Sequence, residues 1–168
     1  GILLRDDMGY GKGVNASGFA CFALAMIVSR LLGDKTLDRF GPALTVKLGG
    51  YIGGAAWGAA ILIAVPLSDS HPLPALIIIN LGFIAVGFGI GPMFPAFILA
   101  AGATPGVAPA VAIARVGVIG IAGYFFGPTL TGLISEVTSL PIALFFPIVM
   151  LFLSGYLSRT IHTAKDPH

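Results

Sequence analysis

The stretch Ser29-Arg30-Leu31-Leu32-Gly33-Asp34-Lys35-Thr36-Leu37-Asp38-Arg39-Phe40-Gly41-Pro42 decides how this chain is read. It gathers three basic residues (Arg30, Lys35, Arg39) and two acidic ones (Asp34, Asp38) between long, nearly uncharged, glycine-rich runs. Charge is expensive in hydrocarbon, so a charged knot between apolar runs marks a return to water, as a short loop joining two antiparallel membrane helices. Asp34 and Asp38 stand four apart, as do Lys35 and Arg39, so each pair shares a face if helix continues into the loop. Two roles stay open for these charges. They can latch helix bundles together in one conformation and release them in another, or they can anchor the loop among lipid headgroups.

The composition places the rest of the chain in lipid. Of 168 residues, 57% are hydrophobic and 10% charged, with mean hydropathy +0.99. Soluble domains carry roughly 25% charged residues, so this chain lacks the polar surface a water-soluble fold needs. A crossing takes about 20 apolar residues. Five spans meet that requirement, at about 14–32, 43–67, 73–101, 109–135 and 141–158, followed by a polar tail over 159–168. The expected fold is all-α and polytopic, with residues 1–13 at the membrane surface as a polar segment carrying a helical stub at Ile2-Leu3-Leu4. With five crossings, Arg30, Lys35, Arg39, Lys47, Arg115, Arg159 and Lys165 fall on one face, and only Arg5 and Lys12 on the other. Basic residues concentrate on the cytoplasmic side. The charged stretch and the C-terminus are therefore expected inside the cell, with the chain in the cell membrane, a bacterial inner membrane.

Glycine and proline punctuate the spans. Gly49-Gly50, Gly53-Gly54 and Gly58 give overlapping four-residue spacings, as do Gly123 and Gly127, and such spacings let helix backbones touch. Gly87, Gly89, Gly91 and Pro92 are expected to weaken the third span, and Gly127-Pro128 the fourth, as either hinges or plain kinks. Polar side chains within spans are few. Asn80 could meet another helix or a solute, Tyr124, Thr129 and Thr131 are the polar residues of the fourth span, and Arg115, near one end of its span, could snorkel or meet an anionic group. No mid-span Asp or Glu offers a proton relay, and no His/Cys set or catalytic motif is present, so neither a metal, a cofactor nor an enzyme is expected. Lone Cys21 has no partner for a disulfide.

The charged stretch resembles the signature loop of the major facilitator superfamily, which joins the second and third helices of each half. Here Gly33 to Asp38 is one residue longer than usual, and Pro42-Ala43 replaces the usual basic pair. Gly87-Phe-Gly-Ile-Gly-Pro-Met-Phe-Pro95 looks like the fourth helix of a half, and Gly123-Tyr-Phe-Phe-Gly-Pro-Thr-Leu-Thr-Gly132 like the fifth. In that order the spans are similar to helices eight to twelve, most of one six-helix C-terminal half. The bacterial fucose-permease-like and sugar/drug permeases are the branch most resembled. The resemblance implies a secondary active transporter that moves a small solute by alternating access, with coupling to a proton or other ion left open. It implies that Arg30, Gly33, Asp34, Asp38, Arg39 and Gly41 form a gating loop, that Phe22, Asn80 and Tyr124 lie near the solute cavity, and that helices nine and twelve face lipid. It also implies a missing N-terminal half as partner and no nucleic acid, so the chain alone is not expected to transport. The alternative is a non-transporting membrane scaffold or subunit.

Overall fold

The computed structural model describes residues 2–11 and 13–161. Lys12 and the tail from residue 162, Lys165 included, lie outside the described residues. The described chain is helical throughout, with α1 at Ser17–Leu31, α2 at Gly33–Leu67, α3 at Pro72–Ile90, α4 at Met93–Gly102, α5 at Pro109–Val137, α6 at Leu140–Ala143 and α7 at Phe145–Leu157. Short π or 3-10 turns occupy Leu3–Asp7, Val14–Ala16 and Ser158–Thr160. Four stretches are long and apolar enough to cross a membrane: Gly33–Leu67, Pro72–Gly102, Pro109–Val137 and Leu140–Thr160. The first expected span is the short one. Its α-helix begins only at Ser17, after a 3-10 turn, and at 1.5 Å per residue it falls short of a full crossing by itself.

Proline and glycine set the boundaries. Pro72 and Pro109 begin α3 and α5, where a missing N–H costs nothing. A turn over Ser68–His71 reverses the chain, with the His71 N–H donating to the Leu67 carbonyl at 2.8 Å.

The core is built on α2, which lies between α3 and α7. Gly49, Gly50, Gly53, Gly54, Trp57, Gly58, Ile61 and Ala64 are all buried on it, while Ile52, Leu62 and Ile63 stay exposed. Without a hydrophobic force between helices in lipid, close van der Waals contact holds the bundle together, and glycine is what permits it. A Cβ on Gly50 would stand 2.5 Å from the Leu151 carbonyl oxygen and 2.8 Å from the Gly155 nitrogen. Trp57 closes the other side, its ring centroid 4.5 Å from that of Phe83.

One expectation about the N-terminal segment is corrected. The helical stub expected at Ile2-Leu3-Leu4 is present, and Ile2, Arg5 and Asp6 are exposed, but the segment is not a polar strip throughout. Leu3, Leu4 and Met8 are buried in the main cluster with Trp57, Ile61, Ile79 and Ile148, and Leu4 is 0% exposed. Two adjacent leucines gain more from this apolar seam than Arg5 and Asp6 lose, because those two charges remain exposed and pair with each other.

Candidate functional site

The charged stretch is a helix rather than an open loop. Helix α1 stops at Leu32, and α2 begins at once with Gly33. Its first turns, over residues 33–40, end at Gly41, whose φ of 72° and ψ of 169° break the helix. That region favours glycine because it has no Cβ. Thr45 Oγ1 donates to the Gly41 carbonyl at 2.7 Å, holding the bend from the far side. We expect Gly41→Ala to meet no neighbour, since nothing lies within 4 Å of its Cβ position, yet to straighten the bend or cost about 1–3 kcal/mol of backbone strain. A change in the cysteine-to-cysteine distance between residues 35 and 48, read by spin labels, would report it.

The helical form puts Asp34 and Asp38 on one face, where they border an open groove against Phe94, Pro95, Ile98 and Leu99 of α4. Arg30, Asp34, Lys35, Asp38 and Arg39 are all exposed, and none is ion-paired among the described residues. The Arg39 guanidinium lies 5.5 Å from the Phe40 ring centroid. The ion pair the structure does hold is elsewhere, Arg5 Nε to Asp6 Oδ1 at 2.5 Å, and that hydrogen bond holds the Asp6 carboxyl below its ordinary range. Nearby, the Tyr10 hydroxyl donates to the Pro72 carbonyl, and burial pushes its pKa up.

The glycine-proline run on the third span interrupts it at Gly91-Pro92, between α3 and α4. Pro92 has no N–H for the Phe88 carbonyl, and the ladder resumes with the Ala96 N–H donating to the Pro92 carbonyl at 3.1 Å. The alternate glycines serve two neighbours. A Cβ on Gly87 would meet the Phe22 carbonyl oxygen at 2.6 Å and Ala25 Cβ at 2.9 Å on α1. Gly91 also faces α1, against the buried Ser29 hydroxyl, which lies 3.1 Å from the Met26 carbonyl oxygen and 3.2 Å from that of Gly87. Gly89 faces α2, where its Cβ would stand 2.7 Å from the Gly49 carbonyl oxygen. Gly127 and Pro128 differ, because α5 runs unbroken through both and nothing lies within 4 Å of a Gly127 Cβ.

Phe22, Asn80 and Tyr124 do not converge on one cavity. Phe22 is half-buried against the main cluster, and Tyr124 is 80% exposed on α5. Asn80 Nδ2 donates to the Leu76 carbonyl at 2.8 Å on its own helix, which leaves its Oδ1 buried without a partner. Ser17 Oγ is likewise buried and unpartnered. Gly18 rests on the Phe83 ring, and Gly87 on Ala25, so the parallel register of α1 and α3 brings Ser17 and Asn80 to the same level.

A larger feature escaped the sequence. A cavity of about 810 Å³ opens among α4, α5 and the end of α7. Met93, Phe97, Ile119 and Leu151 line it, with Arg30 and Arg115 at its edge. Its walls come from residues far apart in the chain, so no spacing announces them. Arg115, set alone in an apolar span, was the available signal.

A polytopic all-α bundle agrees with the names of its sequence relatives. An uncharacterized MFS-type transporter from Yersinia pestis is 35% identical over 142 residues, which is 84% of this chain and 34% of that protein. This chain is a relative of major facilitator superfamily transporters. An uncharacterized transporter from Sinorhizobium fredii is 28% identical across 90% of the chain and 37% of its own length, and the membrane protein MosC of Rhizobium meliloti is 27% identical across 82% and 31%. The chain thus spans about a third of the length of the curated relatives it matches. No family model matches it, and no solved structure does.

Proposed function

We propose that this bundle works within a longer secondary active transporter, which moves a small solute by alternating access. The observation that carries this reading is the set of unpaired charges on the helical segment 33–40, which ends at the Gly41 bend. Four exposed charges on this segment, Asp34, Lys35, Asp38 and Arg39, with Arg30 just before it, have no ion pair among the described residues and suit a reversible contact with a second bundle. Arg30, Asp34, Asp38 and Arg39 act as the cytoplasmic latch in this reading, with Gly33 and Gly41 shaping the turn. The Gly91-Pro92 interruption supplies the hinge. Gly127-Pro128, unbroken here, is the second place where α5 could bend. Phe22, Asn80 and Tyr124 contact the solute only when the missing half completes the cavity. The protein sits in the cell membrane with its C-terminus inside, and a proton or other ion supplies the driving gradient.

The test is solute flux by the full-length parent in proteoliposomes under imposed ion gradients. A gradient-driven uptake that Asp34→Asn suppresses supports the reading, and a parent inert to every solute class and gradient leaves the scaffold reading in its place. Orientation has its own test. In a Cys21→Ala background, Lys35→Cys should react with an impermeant maleimide only after cells are opened, and labelling of intact cells would reverse the assigned sidedness.

Asn80 separates solute contact from helix packing. Asn80→Leu removes a buried oxygen without a partner, so the folded bundle should lose under about 1 kcal/mol. If Asn80 touches solute, the KM for uptake should nonetheless rise about tenfold. An unchanged KM would make Asn80 a helix residue only.

A further inference from the structure

We infer that the cleft between α2, just past the Gly41 bend, and the end of α7 binds the phosphate headgroup of an anionic phospholipid. The cleft holds about 420 Å³ and is walled by Lys47 and Tyr51 on one side and by Tyr156, Ser158 and Arg159 on the other. Its floor is main chain, because the two helices touch there. A Cβ on Gly155 would stand 3.3 Å from the Lys47 carbonyl oxygen and 3.2 Å from Tyr51 Cδ2. Lys47 and Arg159 are both exposed, neither is ion-paired among the described residues, and no carboxylate lines the cleft. The Arg159 guanidinium carbon lies 3.5 Å from the Tyr156 ring centroid. Stacking of this kind orients the flat cation and leaves its N–H groups to reach an anion. The Ser158 hydroxyl is already committed to the Gly155 carbonyl at 2.7 Å, so the two cations set the recognition. A phosphate suits them, taking the Arg fork in a bidentate contact and Lys as a point charge.

The faces that lead away from the cleft identify the carrier of that phosphate as a lipid. Leu48 and Ile52 on α2, and Val149 and Leu153 on α7, are exposed and apolar, a surface for acyl chains. Between cleft and chains stand the rings of Tyr51 and Phe152, 5.9 Å apart. Tyrosine favours that level of a bilayer, with its hydroxyl among headgroups and its ring toward hydrocarbon. Basic pockets between membrane helices hold anionic headgroups by the same combination.

The site stands apart from the transport reading and needs only the membrane-spanning bundle. Native mass spectrometry of the full-length parent in a neutral detergent, titrated with phosphatidylglycerol, tests it. One phosphatidylglycerol should bind more tightly than any others. Lys47→Gln combined with Arg159→Gln should weaken that binding about tenfold or more. Lys35→Gln combined with Arg39→Gln removes the same charge elsewhere and should leave it unchanged. Tyr156→Leu, which takes away the ring under Arg159, should weaken it about threefold, and Tyr156→Phe should not. Melting temperatures equal to the parent's would show that these exposed changes leave the fold intact. Equal losses from the two double variants would reduce the binding to general charge attraction and overturn the site. Equally tight binding of phosphatidylcholine would overturn the anionic headgroup, and displacement of phosphatidylglycerol by millimolar inorganic phosphate would overturn the lipid in favour of a free anion.

Discussion

Replacing Gly49 with alanine is expected to separate α2 from α3. The added methyl would drive into the Gly89 carbonyl oxygen and stand 3.2 Å from its carbon. The approach is reciprocal, since a methyl on Gly89 would meet the Gly49 carbonyl oxygen at 2.7 Å and Gly53 Cα at 3.3 Å. Backbone atoms cannot swing aside as a side chain does, so the helices must move apart and lose their contacts along the whole crossing. The cost is expected at about 3 kcal/mol, the upper end for overpacking, against an intrinsic helix gain of under about 1 kcal/mol for replacing glycine. Gly89→Ala should behave the same way. Gly117→Ala and Gly123→Ala on α5, where nothing lies within 4 Å, should instead be neutral or stabilise by up to about 1 kcal/mol, the helix gain with no clash against it. Thermal unfolding of purified protein in one detergent would rank the four, and equal melting shifts would remove the crossing from the account.

The second large effect concerns Asp34, under the proposed latch. Asp34→Asn keeps the size of the side chain and its place on the helix, and removes the charge. Asp34 is exposed and has no ion pair among the described residues, so the amount of folded protein in the membrane should not change. What should change is the balance between latched and released forms. A charge-assisted hydrogen bond lost across the interface shifts such a balance by roughly thirtyfold, and flux should fall by a similar factor. Asp34→Glu, which keeps the charge on a longer stem, should restore part of it. Normal flux in the Asn variant, with protein levels verified, would refute the latch.

Much of the architecture could be read from the residues because apolar runs bounded by charge leave few alternatives in lipid. Helices begin at Pro72, Pro109 and Leu140, because proline in the first turn suits a helix start in any solvent. Packing was less legible. In water, a helix shows its buried face by periodicity, but in lipid both faces are apolar and the contrast vanishes. The glycine spacings illustrate this. Gly49 and Gly123 each begin a four-residue repeat, yet one touches backbone and the other touches nothing. Which glycine meets a partner depends on the neighbour's path, and local spelling does not record that. Leu3 and Leu4 are another case, for their burial depends on the distant Trp57 and Ile148. For the charged stretch, four-residue spacing made the shared face of Asp34 and Asp38 legible, while the sharp bend at Gly41 rested on a backbone angle.

The crossing at Gly49 and Gly89, with Gly87 and Gly91 pressed on α1, has a mechanical consequence. Helices in contact through their main chains cannot slide by rotamer changes, because there are no rotamers at the seam. Helices α1, α2 and α3, with α7 joined to α2 the same way at Gly50 and Gly155, therefore form the stiff side of the bundle, and the Gly91-Pro92 interruption is where α4 and α5 are freest to turn against it.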